Sequence, residues 1–414
     1  MVSSLLPRSI TSCVLEALAD TPVVVVNGPR QAGKTTLIQG LAYPGQTEVV
    51  TLDDEDTRSA AAFDPRAFVE RTSDTLVIDE AQLEPQLFRA IKASVDRDRR
   101  PGRFLLTGSS RLLAAPDMAD ALVGRVEILQ LWPFAERELV DAAGPSFVDL
   151  VFDAPEQLQH GTSITRDALM ERLLRGGFPE AISRQPARRG AWFDGYIRTI
   201  TERVIRDLAH LERLAEMPQL LRLSAARTGT ELNVATLANE LGIPARTASG
   251  YLAQLATAFI VRLIPAWSTN LSAKVVRRPK LILTDVGVAA YLQGVTAPRL
   301  QRPDGPRGPL VETFVATELL RQLSWSATRA TLWHFRDRSG VEVDLVLEHP
   351  DGRIVGIEVK ATSTPRAEHL KGLRFLADRL GERFTYGCLL TTAPTITRFG
   401  DRLAALPMST LWER

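Results

Sequence analysis

At 414 residues, 45% hydrophobic and 24% charged with a net charge of +1, the chain has ordinary globular composition and is too long for one core, which predicts two to four domains. Two cysteines, Cys13 and Cys388, and five scattered histidines exclude a disulfide framework and zinc-ligand spacing. No apolar run approaches a membrane span and Met1–Ile10 lacks a signal-peptide pattern, so a cytoplasmic chain with no membrane partner is expected.

The near-neutral total hides an uneven distribution: −9 over residues 1–165, +8 over 166–280 and +2 over 281–414. An anionic partner such as DNA would bind the basic middle; the alternative is pairing of that middle with the acidic part of the same chain.

In chain order, Pro7–Ala19 reads as a short amphipathic helix with Ile10, Val14, Leu15 and Leu18 on one side. Val23-Val24-Val25-Val26 is a strand buried on both faces. Gly28-Pro29-Arg30-Gln31-Ala32-Gly33-Lys34-Thr35 then fits G-x-x-x-x-G-K-[ST], and Thr36 continues into a helix. Glycines let backbone N–H groups curl around phosphate oxygens, and the helix N-terminus adds partial positive charge. Lys34 supplies a point charge to the phosphates and the Thr35 hydroxyl ligates Mg²⁺. Lysine is rare here, six against 44 arginines, so its presence at this position is unlike chance. The stretch predicts an ATP-type nucleotide site.

Glu48–Leu52 is a second strand, ending in the acidic turn Asp53–Asp56. Thr75–Ile78 is a third, delivering Asp79 and Glu80 at its C-terminal end, where α/β folds place ligands. Asp79 is expected to hold Mg²⁺ through water, and Glu80 to polarise the attacking water. Arg103–Ser110 is another buried strand, whose Thr107 or Ser109 senses the γ-phosphate or orients water, unless they are turn residues only. Arg111 and Arg125 follow, and either could be an arginine finger, with Arg125 the candidate carried forward. Alternating strands and helices predict a parallel, doubly wound sheet.

Residues 150–217 read as a helical lid broken at Gly176-Gly177-Phe178-Pro179. Asn233–Leu241 is a capped helix stopped by Gly242, and Pro244 opens a second with Ala248, Leu252, Leu255 and Phe259 inward. Two helices at a glycine turn make a helix-turn-helix, and Ile260–Trp267 as strand would make it winged. Its outward residues, Arg246, Thr247, Ser249 and Gly250, suit phosphate contact or a protein partner as well as base reading.

After a Pro/Gly linker, Val341–Leu347 alternates as a half-buried strand with Asp344 on the polar face. His349–Gly352 turns, and Arg353–Val359 returns with Glu358 and Lys360 sharing a face. The hairpin brings Asp344 and Glu358 together at a divalent cation, Mg²⁺ or Mn²⁺, with Lys360 beside an attacking water. Glu312, on the helix Leu310–Leu323, is a further metal-ligand candidate. The bland alternative is a solvated polar face.

Taken together, the phosphate loop, Asp79-Glu80-Ala81-Gln82, Leu106–Ser110, Gly124-Arg125, Lys280–Gly287, Glu342-Val343-Asp344 and Ile357–Lys360 carry a family resemblance. The chain resembles bacterial and archaeal AAA-type ATPases that join a phosphate-loop module to a winged helix and a C-terminal PD-(D/E)xK nuclease-like domain. Where the family reads Asp-Glu-Ile-Gln, this chain has Ala81, a loss of bulk that leaves both acids intact. The resemblance implies ATP hydrolysis and a homo-oligomer. It also implies an AAA core over 1–149, the lid over 150–217, a winged helix with connector over 218–296 and a nuclease-like α/β domain over 297–414. Three functions remain open: an ATPase driving DNA binding and cleavage, an ATP-dependent switch for protein partners, and a metal nuclease that ATP only assembles.

Overall fold

Three strands of uninterrupted apolar sequence can be buried on both faces only in the middle of a sheet, and the computed structural model places them there. It describes residues 6–43, 45–72, 74–109, 122–158, 161–207, 216–269, 278–302 and 305–413, apart from the side chains of 203–207. Two compact units form, one of residues 1–133 with 257–259 and the other of 134–256 with 260–414.

The first unit holds β1 (Val23–Asn27), β2 (Thr47–Thr51), β3 (Thr75–Asp79), β4 (Phe104–Gly108) and β5 (Val126–Gln130), all parallel in the order β2-β3-β4-β1-β5. The central β1, β3 and β4 are buried throughout, whereas β2 and β5 are partly exposed edges. Valines and leucines of the central strands pack with Leu87, Phe88, Ile91 and Val95 from the amphipathic helix Gln86–Arg97. Parallel register brings the C-terminal ends of β1, β3 and β4 to one edge, and with them the phosphate loop, Asp79 and Thr107.

In the second unit, the helices Phe147–Asp153, Arg166–Arg175, Pro186–Asp207 and Met217–Ala226 precede β6 (Thr230–Glu231). Then come the helices Val234–Leu241 and Ala245–Thr257, β7 (Val261–Ile264), β8 (Lys280–Leu283) and the helix Val286–Leu292. The strands form a small antiparallel sheet, β6-β8-β7. The first of the paired helices starts where the Asn233 side chain accepts the N–H groups of Ala235 and Thr236, and stops at Gly242 with φ 64°.

The helix Arg307–Gln322 leads into β9 (Thr331–Arg336), β10 (Glu342–Glu348) and β11 (Ile354–Val359), an antiparallel meander. The helix Lys371–Leu380 crosses to β12 (Phe384–Thr391), parallel to β11, and β13 (Thr397–Arg398) and β14 (Leu403–Pro407) complete the order β13-β14-β12-β11-β10-β9. Against the expectation of a half-buried strand, β10 is buried from Val343 to Leu347. Val343 and Val346 join Leu373 and Leu376 of the crossing helix in one core. The register of β10 against β9 slips between Val343 and Val346, a bulge that resets side-chain alternation beside Asp344. Among the described residues no helix is long and apolar enough to cross a membrane.

Candidate functional sites

The phosphate loop is cramped by design. A Cβ on Gly28 would lie 2.0 Å from the Leu131 carbonyl oxygen, so only glycine fits, and Gly33 turns the chain into the helix Lys34–Gln39 at φ 94°. Lys34 is buried and donates to the carbonyls of Gly28 (3.2 Å) and Pro29 (2.9 Å), which holds its ammonium inside the loop. Burial pushes its pKa down to about 8, against the pull of the Glu80 and Asp79 carboxylates. Thr36 lies exposed in the first turn, Ala32 is buried, Arg30 is half-buried, and Gln31 adopts φ 59°.

Asp79 is reached from two sides. Thr35 Oγ1 donates to Oδ2 at 2.8 Å, and the Thr107 hydroxyl donates to Oδ1. Glu80 sits at φ 54°, a left-handed conformation unusual for a non-glycine residue. Its N–H donates to Thr107 Oγ1 at 3.1 Å, while its carboxylate accepts from Ser109 Oγ at 3.1 Å and from the Gln82 amide. Sequence-predicted Lys34, Thr35, Asp79, Glu80, Thr107 and Ser109 thus converge on one edge of the sheet. Thr35 and Asp79 offer adjacent hard oxygen donors, which suit Mg²⁺.

Arg125 does not join them. Val126 pairs with Val23 at the start of β1, so Arg125 lies at the end of the sheet opposite the loop that follows Asn27. It pairs there with Asp96 at 2.6 Å. A parallel edge strand returns the chain to the wrong end for a finger on its own nucleotide. Arg111 lies outside the described residues.

Two further side chains contribute, Gln82, quoted in the sequence only as part of a motif, and Arg8, which had no role there. Gln82 holds the Glu80 carboxylate, and Arg8 donates to the carbonyls of Ala32 (2.8 Å) and Trp132, tying the loop to the segment after β5. Gln82 had a signal in its position two residues after Glu80. Arg8, 24 residues before its loop partner, had none.

In the second unit the hairpin register pairs Leu345 with Ile357, and Asp344 and Glu358 follow as neighbours on the two strands. Both are buried. Asp344 Oδ2 accepts the Val359 N–H at 2.8 Å, and Lys360 Nζ lies 3.4 Å from that oxygen and 3.2 Å from Glu358 Oε2. Burial, with the Asp344 charge adding to it, raises the Glu358 carboxyl to about 9. Burial works against the Lys360 ammonium, but the two carboxylates outweigh it and hold its pKa above the usual value. A Cβ on Gly372 would meet Glu358 Oε1 at 2.7 Å, so the crossing helix begins directly against this carboxylate.

Glu312 lies beside this pair with a partner of its own. Its carboxylate pairs with Lys280, whose Nζ also donates to the Asp344 carbonyl at 3.1 Å, and burial raises its pKa to about 7. Glu312, the further metal-ligand candidate, is thus paired with a lysine from the start of β8. Among the described residues no group of three or more His, Cys, Asp or Glu is gathered as a cation cage.

On the paired helices, Ala248, Tyr251, Leu252 and Leu255 face inward, while Arg246, Ser249 and Gly250 are exposed. Beyond β7 the chain does not run free: Ala266 bridges to His334 of β9, and Trp267 N–H donates to the His334 carbonyl at 2.6 Å.

Residues 20–140 match the family described as AAA domain, 166–299 a domain of unknown function (DUF8612), and 307–411 a second one (DUF4143). The uncharacterized protein Rv2008c of Mycobacterium tuberculosis is 33% identical over 366 residues, spanning 86% of this chain and 74% of that protein. The figures are the same for the uncharacterized protein Mb2031c of Mycobacterium bovis. Among solved structures, the Walker-type ATPase paby2304 of Pyrococcus abyssi aligns over 70% of this chain and 96% of its own, with 15% identity and a TM-score of 0.42.

Proposed function

The chain belongs to the family of AAA-domain proteins that includes these two mycobacterial relatives, and we propose that it is a Mg²⁺-dependent ATPase whose nucleotide cycle drives DNA binding. The convergence of Lys34, Thr35, Asp79 and Glu80 at the end of a parallel sheet carries this reading. Lys34 leaves the carbonyls of Gly28 and Pro29 for the phosphates, and the N–H groups of the loop cradle the same oxygens. Thr35 and Asp79 would hold Mg²⁺, which when bound neutralises phosphate charge. Glu80, fixed by Ser109 and Gln82, orients water, and Thr107 links it to Asp79.

DNA is the partner that the basic residues 166–280 favour, with Arg246 exposed at the start of the second paired helix. The order helix, β6, helix, helix, β7, β8 supports reading this region as a winged helix. The order helix, β9, β10, β11, helix, β12 supports a nuclease-like C-terminal fold, and Asp344 and Glu358 would hold its Mg²⁺ or Mn²⁺. A second reading, an ATP-dependent switch for protein partners that cleaves nothing, is favoured by one observation: lysines within the structure already neutralise the C-terminal carboxylates. Assembly into a homo-oligomer belongs to either reading, and Arg125, turned away from its own nucleotide, would then serve a neighbouring copy.

Purified chain with ATP and Mg²⁺, with and without DNA, tests these together. Phosphate release that DNA stimulates and Lys34→Ala abolishes is expected. A folded protein that releases no phosphate overturns the ATPase; release indifferent to DNA moves the reading to the switch.

A further inference from the structure

The stretch Lys280–Gly287 is left without a role by the ATPase reading, yet it grips the helix Arg307–Gln322 at two points. Lys280 opens β8 and pairs with Glu312; Asp285 follows β8 and pairs with Arg321 at 3.2 Å. Five residues of extended chain span roughly 16 Å and nine of helix roughly 13 Å, so both contacts form along one side without distortion. The Asp285 end is a structural joint. The Lys280 end lies against the C-terminal carboxylates.

We propose that Lys280 is the resident cation of that acidic site, holding Glu312 and the Asp344 main chain so that a divalent ion at Asp344 and Glu358 is denied the third carboxylate. This rests on the reading of Asp344 and Glu358 as a cation site. Lys280 is buried, and its Nζ bridges the Glu312 carboxylate and the Asp344 carbonyl oxygen, an oxygen environment of the kind that a hard cation takes. An ammonium is a compact point charge, where guanidinium is a planar fork. Two of the chain's six lysines, Lys280 and Lys360, stand at this cluster in a protein that otherwise uses arginine 44 times.

The arrangement also crosses a boundary. Lys280 falls within the family match at 166–299, and the three carboxylates fall within the match at 307–411. The counter-charge of the acidic site is therefore supplied by β8, and without β8 in place Glu312 would lack it.

Calorimetric titration of Mn²⁺ into the full chain tests this, comparing the parent with Lys280→Met and Lys280→Arg. Removing one unit charge within a few ångströms should tighten Mn²⁺ binding at least about tenfold in Lys280→Met. Lys280→Arg should stay near the parent, and adding Asp344→Asn to Lys280→Met should abolish the gain, which separates this site from the phosphate loop. Binding by the parent that Lys280→Met leaves unchanged or weakens overturns the Lys280 assignment alone. No Mn²⁺ binding sensitive to Asp344→Asn in any variant overturns the cation site beneath it. Should Lys280→Met not fold, Lys280→Gln takes its place: the same tightening of Mn²⁺ binding is expected, and its absence refutes the proposal.

Discussion

Asp285→Ala is the substitution whose cost the second unit specifies most fully. Asp285 is 2% exposed and serves three donors with two oxygens. Oδ2 accepts the Gly177 N–H at 2.7 Å and Arg321 Nη2 at 3.2 Å, and Oδ1 caps the helix Val286–Leu292 through the Val288 N–H at 3.1 Å. Losing the cap costs about 1 kcal/mol. Stranding the buried Gly177 N–H costs about 1–3 kcal/mol. Arg321 keeps Glu318 at 2.6 Å, so it is left half-neutralised rather than alone. Breaking a buried pair from one side costs about 3–5 kcal/mol, and this range also covers the overlapping losses. At about 2 °C per kcal/mol for a unit of this size, thermal unfolding of the second unit should move down by about 6–10 °C. Asp285→Asn keeps one acceptor and presents an amide to one of the three donors, so it should fall between parent and alanine variant. Calorimetry of the three proteins at one pH makes the comparison. A loss under about 1 kcal/mol in Asp285→Ala would refute the view of this carboxylate as the joint of the second unit.

At the nucleotide site, Lys34→Ala should abolish ATP binding, while Glu80→Gln should bind ATP and lose turnover by about 10²-fold or more, read by a fluorescent analogue and by phosphate release. Hydrolysis at the parental rate in Glu80→Gln contradicts the role given to Glu80. DNA affinity should fall steeply with salt, and Arg246→Glu should weaken all sequences alike; a salt-insensitive, sequence-specific isotherm contradicts the surface chosen. The Glu358 carboxyl, raised from 4.5 to about 9, holds its proton more tightly folded than unfolded. Its contribution is full below pH 4.5 and is lost as pH rises toward 9, so Glu358→Gln should gain on the parent in thermal stability over that window in metal-free buffer.

What the sequence determined by itself is whatever short-range physics settles. The valines of β1 admit only a doubly buried strand, Gly28 and Gly33 admit only a tight loop, and Asn233 and Gly242 bound a helix through their own hydrogen bonds and φ. Parallel connection of such strands then forces their C-terminal ends together, which is why Lys34, Asp79 and Thr107 were legible as one site. Register likewise brought Asp344 and Glu358 side by side, because a hairpin pairs residues by counting from its turn. Tertiary structure alone decided the rest. Whether Arg125 faces the nucleotide depends on which end of an edge strand it occupies, and no local pattern encodes that. The burial of β10 depends on a helix that follows it by more than twenty residues. Glu312 reads as a metal-ligand candidate, and only the folded chain shows Lys280, 32 residues earlier, paired with it. The same holds for Glu136, whose partners Arg172 and Arg175 draw the chain after Pro133 into the second unit. Charge pairs of this range carry no periodicity, since their geometry is set by packing between elements and not by the spacing within one.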